Sequence, residues 1–565
     1  MDASSLREAA LALVLLLIAV AVIQKLRRRT LYLANVPGPG GGHPLIAPLI
    51  DEKVDREWTE RYGGIVRYEG AFGEQRLFIS DPKALHYIMQ TSGYGFMRSE
   101  DRKENMRTLL GKGILTVEGD DHRRQRRIML PCFGRAEANA FVPSFALKAA
   151  QVSSFCCAVS MRLNFDPKHT LQVAERWTSM MASGGDGKVV DIPSWAARAT
   201  LGTPPLLRAS LAAAVFNYDL HALDENTDNK FVNVYHNLFP KIRLAPTNLE
   251  ILAAELLALV PAPLMRWWHD TVPDRRLRFM TRCRRAADGL ARELVERERA
   301  AVERERAAAA AARVVRANAT ANPKARLEEQ EVYAQLLTIL LAGHETTANA
   351  LSWTLLELAR HPAIQSRLRT EIRTTRRARG EPTLTSDTIQ AMPFLHAVVK
   401  ESLRFHPPLY NTTRTATRDE VIPLLRPVLD KRGRPVYEVA VPKGQYLVVS
   451  FAAYGRNKDL YGPDADDFNP ERWLKEGYVN TPAGGGMLNN LLTFGGGHRG
   501  CLGWRYAVLE LSAFLVELID RFEFSAPPDV LSKIRRGAAG VMVPMLEGEL
   551  DRGAQLPLHV RPAST

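Results

Sequence analysis

Cysteine is scarce in this chain. Only five are spread over 565 residues (Cys132, Cys156, Cys157, Cys283 and Cys501). An odd, sparse set excludes a secreted disulfide scaffold and points to a reducing compartment. No low-complexity linker follows the first 45 residues, and no motif recurs at a fixed period, which excludes solenoids and linker-joined arrays. Apolar residues are not in short supply: at 46% of the chain they exclude disorder and a collagen-like repeat. At roughly 150 residues per domain the length alone suggests about four domains. Without linkers to separate them, one very large domain behind an N-terminal segment is the better reading.

Charge is not short either, with 75 Lys and Arg against 62 Asp and Glu, net +13. It lacks the form of a nucleic-acid groove. The basic stretch 274–316 interleaves Arg with Glu and Ala at helical spacing, as in Glu293 and Arg297, and all but lacks aromatics. That pattern is a long solvated helix rather than a surface on which bases stack, so no nucleic acid is expected as a partner.

The one long apolar run is at the start. Residues 9–23 carry no polar side chain, and extending the segment over 6–26 reaches a length of about 30 Å, enough to span a bilayer. Lys25, Arg27, Arg28 and Arg29 come immediately after it. Positive charge after the run, rather than before it, favours an uncleaved anchor over a signal peptide and places the rest of the chain in the cytosol. The Val36-Pro-Gly-Pro-Gly-Gly-Gly-His-Pro44 stretch then reads as a hinge of stiff and turning residues. The organisation is an anchor at 1–29, a hinge at 30–45 and a catalytic domain at 46–565.

Within that domain, 65–68 and 76–79 read as strands, and the pattern from 82 to 420 is mostly helical. Residues 328–360 form the strongest segment, apolar nearly all round at 336–341, hence a buried helix that Pro362 ends. A second helix at 394–405 stops at His406-Pro407-Pro408, 439–449 reads as strand, turn and strand around Pro442-Lys443-Gly444, and 502–522 is a closing helix. The class is mainly α with small β-sheets.

The chemistry concentrates in Phe494-Gly-Gly-Gly-His-Arg-Gly-Cys501-Leu-Gly503, a glycine-rich loop ending in one cysteine before a helix. A thiolate at a helix N-terminus has a lowered pKa, and glycines let backbone N–H groups approach a flat group and its sulfur ligand closely. An axial thiolate beneath a haem needs both. A lone cysteine is otherwise a buried inert thiol, and His498 with Cys501 could form half a zinc site, though no second Cys/His pair has matching spacing.

On Phe494, Gly497, Arg499, Cys501 and Gly503 the sequence resembles the cytochromes P-450, the haem-thiolate monooxygenases. Three further motifs keep the family's order, and the resemblance covers about residues 35–545. In Ala342-Gly343-His344-Glu345-Thr346-Thr347, Ala342 and Thr346 share a helix face, so the Thr346 hydroxyl can bond back to the carbonyl of Ala342 and open the helix locally. The resemblance makes Glu345 and Thr346 an acid–alcohol pair that handles protons beside the haem. Glu401 and Arg404, spaced i,i+3, with Arg472 from Phe468-Asn-Pro-Glu-Arg472-Trp473, correspond to a buried structural network. In Gly119-Asp-Asp-His122-Arg-Arg-Gln-Arg126-Arg127, Arg126 matches an arginine that contacts a haem propionate, and His122 stands where the family often has Trp. Arg414 and Arg499 would complete that clamp, while Arg123, Arg124 and Arg127 would face a reductase.

Two stretches depart from the family. Residues 146–170, with Cys156 and Cys157, replace a shorter loop, and 202–210 place two prolines inside what should be a helix, as surface insertions or retained non-coding sequence.

The resemblance implies a cytochrome P-450 fold, haem b (iron protoporphyrin IX) and electrons from an NADPH-cytochrome P-450 reductase, with cytochrome b5 as a further donor. It implies a single-pass enzyme of the endoplasmic reticulum membrane acting on a lipophilic small molecule. The hinge and the phrases at 342–360 and 216–224 look most like fungal members, hence terpenoid or other secondary-metabolite tailoring. Fatty-acid hydroxylation and a haem-thiolate isomerase or dehydratase, which needs no external electrons, are the alternatives. A non-enzymatic haem sensor or carrier is the remaining one.

Overall fold

In a computed structural model the chain is described nearly throughout over 52–143, 188–193 and 325–564, and at scattered positions in 33–39, 145–197 and 278–322. The anchor at 1–29, most of the hinge, the departures at 146–170 and 202–210, the phrase at 216–224 and the Glu293–Arg297 pair lie outside the described residues. Among the described residues no helix is long and apolar enough to cross a membrane.

The centre of the fold is the helix Glu329–Arg360. Its start is fixed by a reciprocal cap in which Glu328 and Glu331 each accept from the other's backbone. Apolar side chains on every side bury it almost completely from Val332 to Ala359. Pro362 does more than end it. The next helix, Pro362–Arg379, begins at that proline, whose missing N–H costs nothing at the first helical position. The helices Pro393–Phe405 and Trp504–Arg521 pack against the long one and hold the two ends of the site on it.

The sheets are small but more numerous than the sequence pattern suggests. Strands Ile65–Glu69 and Gln75–Ile79 pair antiparallel, and the second runs parallel to Tyr446–Ser450. Asn411–Ala416 and the two-residue strand Phe96–Met97 complete this five-stranded sheet. Asn411–Ala416 lies in the stretch read as helical. Its Asn-Thr-Thr-Arg-Thr composition, rich in β-branched residues, suits a pleated strand. The two strands around Pro442-Lys443-Gly444 join different sheets, because Pro435–Val441 pairs with Glu420–Leu429 instead. Three strands from distant positions, Lys188–Asp191, Pro557–Pro562 and Phe522–Ser525, form another sheet, and Ile534–Ala538 pairs with Met542–Leu546.

Beneath the long helix, His406 stacks on Trp353 with ring centroids 4.4 Å apart. Its Nε2 lies 2.7 Å from the Glu357 carboxylate and its Nδ1 accepts from Arg536 at 3.1 Å. The residue that stops one helix therefore also ties it to two other elements.

The sequence-predicted trio Glu401, Arg404 and Arg472 comes together in full burial. Arg404 forks onto Glu401 at 2.7 and 2.9 Å and also donates to the carbonyls of Gly455, Ala465 and Asp467. Arg472 donates to Glu401 at 3.1 Å and to Asp464 at 2.9 Å. The Trp473 indole and the Asn469 backbone fill the remaining lone pairs of Glu401. Asp464, which no spacing rule singles out, balances the second guanidinium. Glu401→Gln keeps the shape but strands two buried cations on one acid, so it is expected to cost about 3–5 kcal/mol. Chemical denaturation checks this, and a loss below about 1 kcal/mol would mean that the carbonyls, not Glu401, hold the arginines.

Candidate active site

Cys501 lies between the short turn Gly497–Arg499 and the helix Trp504–Arg521. Its backbone N–H donates to the Phe494 carbonyl at 2.8 Å, which closes the loop on itself. Its side chain keeps an accessible face although protein surrounds it on all sides, so it opens onto an internal pocket. The thiol pKa is raised, not lowered as the helix-start argument predicts. Burial pushes it up, and the Gly503 N–H and the Arg126 charge offset only part of that. Gly497 has φ +58°, and a Cβ there would stand 2.5 Å from the Met89 carbonyl oxygen. Gly503 is under no such constraint, since its added Cβ would meet only Phe133 at 3.9 Å.

Four arginines are coupled to one another beside this loop. Arg126, from the helix Gly119–Met129, makes no hydrogen bond or ion pair with the described residues, and acts on Cys501 through its charge. Arg414 is buried and donates to Thr412, to the Thr413 carbonyl and weakly to Met89 sulfur. Arg499 pairs with Glu118 and donates to the carbonyls of Ile114 and Val117. The fourth, Arg98, is one that the sequence reading missed. It donates to the Leu115 carbonyl at 2.8 Å from just past the strand Phe96–Met97. Burial, with Arg499 nearby, brings Arg98 down to about 10; burial and Arg98 bring Arg414 down to about 9. Among the described groups Glu118 is the only carboxylate opposing Arg98, Arg414 and Arg499, and no carboxylate acts on Arg126.

His122 is almost fully buried, and its Nδ1 lies 2.7 Å from the Tyr94 hydroxyl. Burial and the neighbouring arginines bring it down to about 3, and His498 to about 4, so both rings are neutral at pH 7. His498 packs against Tyr94 at 4.2 Å. No metal-binding group of three or more acids, histidines or cysteines exists among the described residues.

The neighbouring basic residues divide. Arg123 and Arg127 are exposed, as a partner-facing surface requires, but Arg124 is not available to one: it forks onto Glu331 at 2.6 and 2.8 Å. That ion pair, with Gln125 and Gln335, clamps the helix Gly119–Met129 to the long helix.

On the long helix, Ala342, Gly343 and Thr346 form an accessible stripe in an otherwise buried surface. Thr346 Oγ1 donates to the Ala342 carbonyl at 2.6 Å, the back-bond expected from the spacing. The helix stays α-helical through it, so the expected local opening is not a break in the helix. Glu345 is buried beside that stripe.

A thiol in a glycine loop whose Gly497 admits no Cβ, beside crowded cations with one carboxylate between them, fits a flat group bearing two carboxylates and a thiolate-seeking metal. The comparisons agree. The Cytochrome P450 family model matches residues 247–551. The chain is 31% identical to cytochrome P450 monooxygenase 205 of Postia placenta over 96% of both chains. It is 30% identical to cytochrome P450 monooxygenase claO of Ampulloclitocybe clavipes, over 90% of this chain and 88% of that one. Its fold matches a crystal structure of a cytochrome P450, CYP102L1, with TM-score 0.66 at 19% identity, covering 94% of this chain and 99% of that one. The chain belongs to the cytochrome P450 family, and its relatives are fungal monooxygenases. Membership brings a haem cofactor and oxidoreductase chemistry that incorporates oxygen.

Gly497→Ala combines a left-handed backbone, costing about 1–2 kcal/mol, with a clash against fixed backbone, about 1–3 kcal/mol more. It should lower both stability and haem content, while Gly503→Ala should cost less than about 1 kcal/mol. Denaturation and Soret absorbance check the pair; equal effects would show that the cradle does not depend on Gly497.

Proposed function

We propose that the chain is a membrane-anchored haem-thiolate monooxygenase that oxidises a lipophilic small molecule in fungal secondary metabolism, terpenoids foremost. The observation that carries this is Cys501 in its glycine cradle, fronting the same pocket as Arg126 and the arginines around Glu118. Haem b, when bound, supplies dioxygen activation and the transfer of one oxygen atom. Cys501 sulfur would hold its metal, with the Gly503 N–H moderating the sulfur's charge. Arg126, Arg414, Arg499 and His122 would hold its propionates, and Phe494, Gly497 and Gly503 would shape the cradle that receives it. The small side chain of Ala342, exposed on the long helix, would leave room beside the cofactor. Thr346 keeps a proton at Oγ1 on the accessible stripe and passes it on, and Glu345 resupplies it.

Electrons come from an NADPH-cytochrome P-450 reductase, with cytochrome b5 as a second donor, and exposed Arg123 and Arg127 suit an acidic partner surface. The apolar run at 9–23 and its basic flank support a single-pass anchor in the endoplasmic reticulum membrane with the catalytic domain in the cytosol. The fungal source of the relatives agrees with the resemblance to fungal members on which the secondary-metabolite reading rests.

Cys501→Ser tests the ligand assignment. The red-shifted Soret band of the reduced, carbon-monoxide-bound form should vanish; a band that persists would assign the ligand elsewhere. Thr346→Ala should leave that band intact while product per NADPH consumed falls and hydrogen peroxide rises. A positioned proton donor is worth about 10²–10⁴-fold, and water replaces part of it. Unchanged product per NADPH would leave Thr346 only its back-bond to Ala342.

A further inference from the structure

His122 stands at a position where an indole would offer one fixed N–H. An imidazole offers its proton on either nitrogen, so it serves the same purpose only if something chooses the nitrogen. Tyr94 is placed to choose. Its hydroxyl lies 2.7 Å from His122 Nδ1. Burial raises the Tyr94 pKa, so the phenol is neutral and carries a proton to donate. Arg123 stacks over the Tyr94 ring at 4.9 Å, but a guanidinium has no lone pair to accept the phenol hydrogen, so Nδ1 is the acceptor within reach. The proton of His122 is then on Nε2. That nitrogen has no partner among the described residues, and its charged neighbours include Arg499, Arg126 and Arg98.

We propose that Tyr94 is a positioning residue that locks His122 in the tautomer carrying its proton on Nε2, so that the Tyr94–His122 pair presents one fixed N–H to a haem propionate. The inference rests on the haem reading above and adds to it a residue from a separate segment. Tyr94 lies in the turn Gly93–Gly95, outside every motif of the sequence, and acts through His122. His122 stays neutral there because burial and the surrounding arginines oppose a further positive charge. Without the phenol, the ring is free to place its proton on Nδ1 and turn a lone pair towards the carboxylate, which repels it.

The test is a pair of cycles on the haem-loaded full chain, reading the rate of haem transfer to excess apomyoglobin and the haem reduction potential. Tyr94→Phe should speed haem loss about 3–10-fold, the size expected for one ordinary hydrogen bond, and move the potential to more negative values. In a His122→Trp background the same Tyr94→Phe change should do nothing, because an indole has no tautomer to lock. His122→Gln provides a second background should the indole not fit, with the same expectation from its amide N–H₂. An equal effect of Tyr94→Phe in all backgrounds would make Tyr94 a packing residue and overturn the proposal. No effect in the His122 protein would overturn it as well. Failure of the unsubstituted chain to bind haem would instead sink the cofactor assignment.

Discussion

The site depends on an imbalance of buried charge. Arg98, Arg126, Arg414 and Arg499 converge on a region where Glu118 is the only carboxylate acting on them among the described residues. Guanidiniums resist losing their protons, so burial that brings Arg98 to about 10 and Arg414 to about 9 reflects heavy desolvation and mutual repulsion. Backbone carbonyls from Ile114, Leu115 and Val117 relieve part of it. Those carbonyls are themselves held in place: the Ile114 N–H donates to Gln335, and Gln335 donates to Gln125. The loop between the helices Glu100–Leu110 and Gly119–Met129 thus links the cysteine loop to the long helix.

A second buried cluster shows by contrast what an imbalance means. Around Glu401 two arginines meet two acids, and the fork geometry, the carbonyls and Trp473 use the available donors and acceptors. Such a cluster is complete and does nothing but hold its segments together. It fixes the meander at 464–473 against the helix Pro393–Phe405, and Thr493 donating to the Leu403 carbonyl carries that rigidity to the start of the cysteine loop. Charge balance separates scaffold from site in this protein: both clusters are arginine-rich and buried, but only the one near Cys501 has cations left over to recognise an anionic ligand.

How much the sequence reveals depends on the range over which each feature is encoded. The helix Glu329–Arg360 and the Cys501 loop are legible because periodicity, glycine content and motif spacing are local. The Glu401–Arg404 pair is one helical turn apart, and its partner Arg472 comes from a recognisable segment. Arg98 and Glu118 have no such signal. Arg98 sits just after a two-residue strand, and Glu118 reaches Arg499 across 381 positions, a distance that no pattern within one sequence records. The direction of the Cys501 pKa is illegible for the same reason. The helix start that lowers it is local, whereas the burial that raises it is assembled from the whole fold. Asn411–Ala416 reads as helical because its strand character depends on Tyr446–Ser450, paired with it from beyond an intervening hairpin.

Position 122 combines these constraints. A histidine in a nest of arginines would ordinarily be a liability, since a protonated ring would add one more buried positive charge. Burial and the neighbouring cations remove that option by bringing the ring down to about 3. The unfolded chain, with an ordinary histidine near 6.5, binds a proton that the folded chain refuses below that pH. This contribution therefore favours unfolding progressively as pH falls from about 6.5 towards 3, and is absent above it. The protein accepts that acid sensitivity in exchange for a small, neutral donor where an indole would need more room. Tyr94, on the other side of the ring from its free nitrogen, turns that substitution from a loss of definition into a two-residue equivalent of one N–H.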